Sequence, residues 1–109
     1  MDLEENAVCM KIYLGESDHY DSLPAYKAVV HFLREKGIWG ATVIRGIYGF
    51  GKQSKFHSSI PLRLSEDMPI LIEVVDSRDK LMGLIPELSQ MVTEGLITME
   101  DVKVVRHMD

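Results

Sequence analysis

Between positions 45 and 57 the chain reads Arg45-Gly46-Ile47-Tyr48-Gly49-Phe50-Gly51-Lys52-Gln53-Ser54-Lys55-Phe56-His57. Three glycines fall within six positions, with Arg45, Lys52 and Lys55 around them. Glycine has no Cβ, so the backbone can approach a ligand closely with its N–H groups turned inward, and the flanking cations offset negative charge. This is a composition for cradling phosphate or another small anion. In that chemistry Gly46, Gly49 and Gly51 shape the loop, Arg45 and Lys52 face the anion, and Gln53 hydrogen-bonds the ligand. Arg63 can join from the returning arm. Arg45 and Arg63 serve equally well as members of surface ion pairs, which are common and weak.

Three named motifs fit the segment less well. A Walker A loop, G-x-x-x-x-G-K-[ST], is matched at Gly46, Gly51 and Lys52, but Gln53 stands where a hydroxyl must hold Mg²⁺, and no helical periodicity follows before Ile60-Pro61. A dinucleotide fingerprint needs G-x-G-x-x-G, and the order here is G-x-x-G-x-G. Arg45-Gly46 and Gly49-Phe50 echo an RNA-recognition strand, yet the chain is acidic and poor in stacking aromatics.

The charge distribution singles out the same place. The 109 residues carry 17 acids and 12 bases, a net charge of −5. Residues 1–35 hold seven acids and three bases, residues 36–65 hold five bases and no acid, and residues 66–109 hold ten acids and four bases. A small anion is favoured at the acid-free window, and a long nucleic acid is repelled by the rest. Cys9 is the one cysteine, so no internal disulfide forms, which suggests a reducing compartment. The acidic start and the lack of about 18 consecutive apolar residues lead to the expectation of a soluble, cytoplasmic protein without membrane insertion. The four histidines, His19, His31, His57 and His107, make no HxH or HxxxH pair, so no metal site is assigned. No nucleophile–base spacing asks for an enzyme.

The elements that must hold this segment follow from periodicity. A strand is expected over 7–14. A helix from about Tyr26 is capped by Asp21 or Ser22, carries Pro24 in its first turn and stops at Gly37. A strand follows over 41–48, and the alternation Ile60, Leu62, Leu64 gives a short strand or an extended arm. Another strand spans 69–75. Asp76 or Ser77 caps a helix with the stripe Leu81, Leu84, Ile85, Leu88, Met91, Val92; Pro86 should kink or divide it, and Gly95 ends it. A last strand is expected over 102–105. The order is β-α-β-β-α-β, an α+β ferredoxin-like sandwich with a four-stranded, mainly antiparallel sheet, forming one domain over 1–109. Two helices on one sheet face leave the other face bare, so a homo-oligomer built sheet to sheet is expected.

With these residues in place, the chain resembles the PII signalling superfamily. Its members share this element order, and a long loop after their second strand begins with a Gly-x-Gly-x-Gln segment similar to Gly49-Phe50-Gly51-Lys52-Gln53. Over 11–105 the chain is similar to small PII-like proteins known only as a domain of unknown function. The matching stretches include Ile12-Tyr13-Leu14-Gly15-Glu16, Gly40-Ala41-Thr42-Val43, Leu62-Arg63-Leu64-Ser65-Glu66-Asp67 and Glu94-Gly95-Leu96-Ile97-Thr98. The resemblance implies a non-catalytic regulator and a homotrimer. It also implies an adenine nucleotide (ATP, ADP or AMP) in clefts between subunits at Gly49, Gly51 and Gln53, with no other cofactor required. The loop at about 49–60 would engage a protein target through its tip, 54–59. The PII pattern of a second phosphate loop before the last strand has no counterpart, since 91–101 holds only Gly95 and no lysine. A divalent-metal-handling protein on the same trimeric fold, drawing on His57, is the alternative.

Overall fold

The computed structural model describes residues 6–51 and 67–106. Its elements are β1 (Ala7–Gly15), β2 (His19–Tyr20), β3 (Leu23–Pro24), α1 (Ala25–Glu35), β4 (Ala41–Arg45), β5 (Pro69–Ser77), α2 (Arg78–Met91) and β6 (Leu96–Asp101). Four strands form one sheet in the order β4-β5-β1-β6 with every neighbouring pair antiparallel; β2 and β3 make a separate small hairpin. This is the ferredoxin-like α+β arrangement, with the hairpin as an addition that the periodicity did not reveal.

Successive side chains of a strand point to opposite faces, so the register sorts the sheet. Val8, Met10 and Ile12 of β1 and Ile70, Ile72 and Val74 of β5 are buried on one face. There they join Val29 and Leu33 of α1 and Leu81 and Leu88 of α2 in one core. On the opposite face Ile44, Leu71, Tyr13 and Leu96 stand side by side across all four strands, because Ile44 is opposite Leu71, Leu71 opposite Tyr13 and Tyr13 opposite Leu96. Three of the four remain 40–58% exposed: Tyr13, Ile44 and Leu96. The next row is polar, with Thr42, Glu73, Lys11 and Thr98 in register.

Several boundaries differ from the expectation, each for a local reason. The last strand is β6, over Leu96–Asp101, and not 102–105: Val8 pairs with Asp101, and Val102 N–H donates to Ala7 O, so β1 has no further strand residue to offer. β4 stops at Arg45 and does not reach 48; Gly46 N–H donates to Pro69 O, and Pro69 has no N–H with which to return a bond. Neither Asp21 nor Ser22 caps α1. They form the β2–β3 turn, where Asp21 sits at φ 55°, and Ala25 N–H donates to Asp18 O at 2.7 Å instead. Pro24 is therefore the cap residue and lies outside the first turn. Gly37 does end α1, at φ +73°.

Ser77 caps α2, its hydroxyl accepting from Lys80 N–H. Pro86 does not divide that helix, which runs unbroken to Met91 with Leu81, Leu84 and Leu88 buried on both sides of it. The helix ends before Gly95. A Cβ there would fall on the Tyr13 carbonyl oxygen and 2.5 Å from Val92 Cγ1, so this glycine is required by close approach of the α2–β6 connection to β1. The expected arm around Ile60, Leu62 and Leu64 lies outside the described residues.

Two substitutions test this packing. Leu88→Ala empties a fully buried position and should cost about 2–5 kcal/mol. Gly95→Ala, which forces the connection off a backbone oxygen, should cost at least about 1–3 kcal/mol. Urea unfolding followed by circular dichroism reads both, and an unchanged midpoint in either variant would contradict the register described.

Candidate functional site

The segment singled out by composition leaves the sheet at the end of β4. Arg45 is the last strand residue and lies opposite Ile70. Gly46 packs on Pro69: a Cβ at this position would lie 2.9 Å from Pro69 Cγ and 3.3 Å from Pro69 O. Gly49 has φ +146°, a setting that L side chains rarely adopt, and it too faces Pro69 Cγ, at 3.3 Å. A Cβ on Gly51 would meet open space. Gly46 and Gly49 thus fold the chain over Pro69, while Gly51 has a different local setting. Ile47, Tyr48 and Phe50, the residues between the glycines, are 83–93% exposed. Lys52, Gln53 and Arg63, and with them the loop tip, lie outside the described residues, as do His57 and His107.

The spatial neighbours of this segment come from elsewhere in the sequence. Arg45 Nε donates to both carboxylate oxygens of Glu16, at 3.0 Å each, and Glu16 Oε1 also accepts from Met68 N–H at 3.3 Å. The Glu16 backbone N–H donates to Met68 O at 2.9 Å. Asp67 Oδ1 accepts from Ser17 N–H at 3.1 Å, and Asp18 Oδ2 accepts from Gly15 N–H at 2.9 Å. Glu16 and Asp18 therefore do turn and pinning work beside the loop roots. Arg45, within the window that is acid-free along the chain, thus meets a carboxylate in space. Sequence spacing gives no sign of this, because Glu16 and Arg45 meet only through the β1–β5–β4 register.

The other end of β4 is fixed by a second carboxylate. Asp76 is fully buried; its Oδ1 accepts from Ser77 N–H at 2.7 Å and its Oδ2 from Trp39 N–H at 3.3 Å. Lys80 Nζ stands 3.9 Å from Asp76 Oδ2 and donates to Gly37 O at 2.7 Å. This network ties the α1–β4 connection to the start of α2. Next to it Val30, Leu33, Arg34, Ile38, Trp39, Gly40 and Ala41 line a cavity of about 260 Å³.

On the bare sheet face Lys11 pairs with Glu100 at 3.2 Å, and that bond raises the Lys11 pKa above its ordinary value. Cys9, in the same face, is buried. Burial, and then the nearby Glu73 carboxylate, push its thiol pKa up, against a smaller lowering by Lys11. Among the described residues no group of three or more His, Cys, Asp or Glu side chains is placed to hold a metal ion. No described helix is long and apolar enough to cross a membrane.

A thiol with a raised pKa in the fold stays protonated at a pH where the unfolded chain has begun to ionise. Folding stability should therefore fall as pH rises past the ordinary cysteine pKa and on through the raised one. Cys9 should react with a disulfide reagent at pH 8 many times more slowly in the native protein than in urea, and Cys9→Ser should remove that part of the alkaline loss. Equal native and unfolded labelling rates would show that Cys9 is not held as described.

With this geometry in view, comparison with known proteins is informative. The sequence profile of DUF190, described as "Uncharacterized ACR, COG1993", matches residues 7–104. Two proteins of Aquifex aeolicus (strain VF5), each named "UPF0166 protein", are similar to this chain. One is 31% identical over 96 residues, covering 88% of this chain and 90% of the relative. The other is 38% identical over 97 residues, covering 89% and 95%. A UPF0166 protein of Methanocaldococcus jannaschii is 36% identical over 96 residues, covering 87% and 88%. The match spans every described strand and both described helices, so the chain belongs to the DUF190 (UPF0166) family.

Proposed function

We propose that this protein is a non-catalytic, PII-like regulator that binds an adenine nucleotide in clefts between the subunits of a homotrimer, beside the loop that leaves β4. The observation that carries this reading is the glycine segment at the β4 end. Gly46 and Gly49 hold the chain against Pro69, and Gly49-x-Gly51-x-Gln53 resembles the loop base of PII proteins on the same order of elements. ATP, ADP and AMP are the candidate ligands; the loop tip over 54–59 is the surface for a protein target.

The trimer is supported by the sheet. An apolar row crossing four strands, with Tyr13, Ile44 and Leu96 exposed, is an arrangement that a protein burying only one sheet face would leave to a partner. Burying these side chains between copies would contribute roughly 25 cal/mol per Å² of apolar surface removed from water. The Lys11–Glu100 pair in the adjoining rows would fix orientation more than affinity.

Calorimetry and thermal shift with ATP, ADP, AMP and cyclic nucleotides test the ligand. A nucleotide at about 100 times its Kd adds ~2.7 kcal/mol, enough to raise the melting temperature by several degrees in a chain this size. Absence of binding by all of them would overturn the nucleotide reading. Light scattering should return three times the 12.4 kDa protomer mass. Ile44→Glu, on the exposed row, should reduce that to one protomer with the circular dichroism spectrum retained. A wild-type monomer would remove the inter-subunit site.

A further inference from the structure

The four-stranded sheet has two open edges: among the described residues no strand pairs with the outer side of β4 or of β6. Antiparallel pairs alternate between residues that exchange hydrogen bonds and residues that do not. Gly46 N–H donates to Pro69 O and Val102 N–H to Ala7 O, which fixes that alternation on both edges. Thr42 and Ile44 direct their backbone groups to β5, and Thr98 and Glu100 direct theirs to β1. Val43 on one edge, and Ile97 and Met99 on the other, therefore turn theirs outward. The β4 edge is apolar on both faces. Ile44, on the bare face, is 47% exposed, and Val43, which shares the helix side with fully buried Ile72, is still 39% exposed. The strand has no proline, lysine or acid to block pairing, and its one charge, Arg45, stands at its end.

Resting on the homotrimer reading above, we infer that β4 of one copy pairs antiparallel with β6 of the next, so that each edge is covered by a second copy of this chain. A three-fold ring joins unlike surfaces, and β4 and β6 are the two unlike edges of one sheet. Direction agrees: with every neighbouring pair antiparallel, β4 and β6 run opposite ways, and rotation about an axis along the strands keeps them so. The faces agree too. Val43, Ile97 and Met99 all belong to the helix side, so bonding their outward groups leaves Ile44 and Leu96, 47% and 58% exposed, on one common face. The apolar row through Ile44, Leu71, Tyr13 and Leu96 then runs on into the next copy along the inside of the ring. On the helix side Val43 gains an apolar neighbour in the partner's Ile97 or the partner's Met99. Charge also favours unlike edges, since β6 holds Glu100 and Asp101 without a base and β4 holds Arg45 without an acid. Because β6 begins at the level where β4 ends, the neighbour's α2–β6 connection comes to lie beside Gly46, and the glycine turn over Pro69 borders two copies.

Disulfide trapping in a Cys9→Ser background tests the inference. Even-numbered residues of the two edges would be non-hydrogen-bonded neighbours, whose Cα atoms lie about 4.5 Å apart, within disulfide reach. Ring closure staggers neighbouring rows, and matched faces limit the stagger to an even number of residues. Thr42→Cys or Ile44→Cys is therefore combined with Leu96→Cys, Thr98→Cys or Glu100→Cys. Under mild oxidation the pairs that share one stagger should form covalent dimers and trimers that a reducing agent dissolves. Each single variant should run as one protomer on a denaturing gel. In wild type the Val43 amide should exchange with deuterium as slowly as those of Thr42 and Ile44, although it faces away from β5. A trimer by light scattering in which no double variant cross-links, or in which Val43 exchanges many times faster than its neighbours, would overturn edge pairing and leave the trimer standing. Cross-linking by a single variant would show like surfaces meeting and overturn it as well. A wild-type monomer would overturn the inference and the trimer together.

Discussion

The antiparallel pairing of β1 with β5, from Ala7 opposite Ser77 to Gly15 opposite Pro69, is the interaction from which the rest of the structure follows. It sets which side chains face the helices and which face outward, because a shift by one residue would exchange the two sets. Its ends also locate the chemistry. At one end Gly15 and Pro69 bring Glu16 onto Arg45, with Asp18 and Asp67 close to Gly15; at the other Asp76 and Ser77 start α2 and anchor Trp39. The two strands flanking this pair, β4 and β6, take their register from it.

The sheet face away from the helices combines two kinds of surface. One row is apolar, through Ile44, Leu71, Tyr13 and Leu96; the next has Lys11 in register with Glu73 and Thr98. Such a face suits a specific partner better than indiscriminate association, since an apolar strip supplies binding energy and a charged row penalises misaligned copies. The proposed trimer uses both features. The nucleotide reading draws on a different part of the molecule, the glycine turn over Pro69, and needs the trimer as well, since its clefts would lie between subunits.

Much of the fold was legible from the chain. The helical stripe from Leu81 to Leu88 survives Pro86 because the residues anchoring it lie on both sides, and Glu73 betrays the outward face of an otherwise apolar strand. What escaped has physical causes. The β2–β3 hairpin has only two residues in each strand, too few for a period to show, and it took Asp21 and Ser22 out of capping. The last strand was placed too late because Val102, Val104 and Val105 look more strand-like than Thr98 and Glu100, although β1 can pair only as far as Asp101. At the site, Arg45, Gly46 and Gly49 could be chosen from composition, whereas the carboxylate on Arg45 could not. Its position is a product of strand order, and no spacing along the chain encodes it.

The strand order also has a temporal side. β1 finds its neighbours only in β5 and β6, so a growing chain holding residue 7 must wait for residue 77, and then for residue 101, before the sheet can close. During that interval Val8, Met10 and Ile12 have no cover, and local contacts can offer little beyond the β2–β3 hairpin and α1. A topology dominated by such distant pairings folds more slowly than a helical bundle of equal size. It also leaves apolar strand edges exposed while it does so. Here the site depends on β5 pairing with both β1 and β4, so an assembled loop base marks a molecule in which these three strands have met, whether or not β6 has joined.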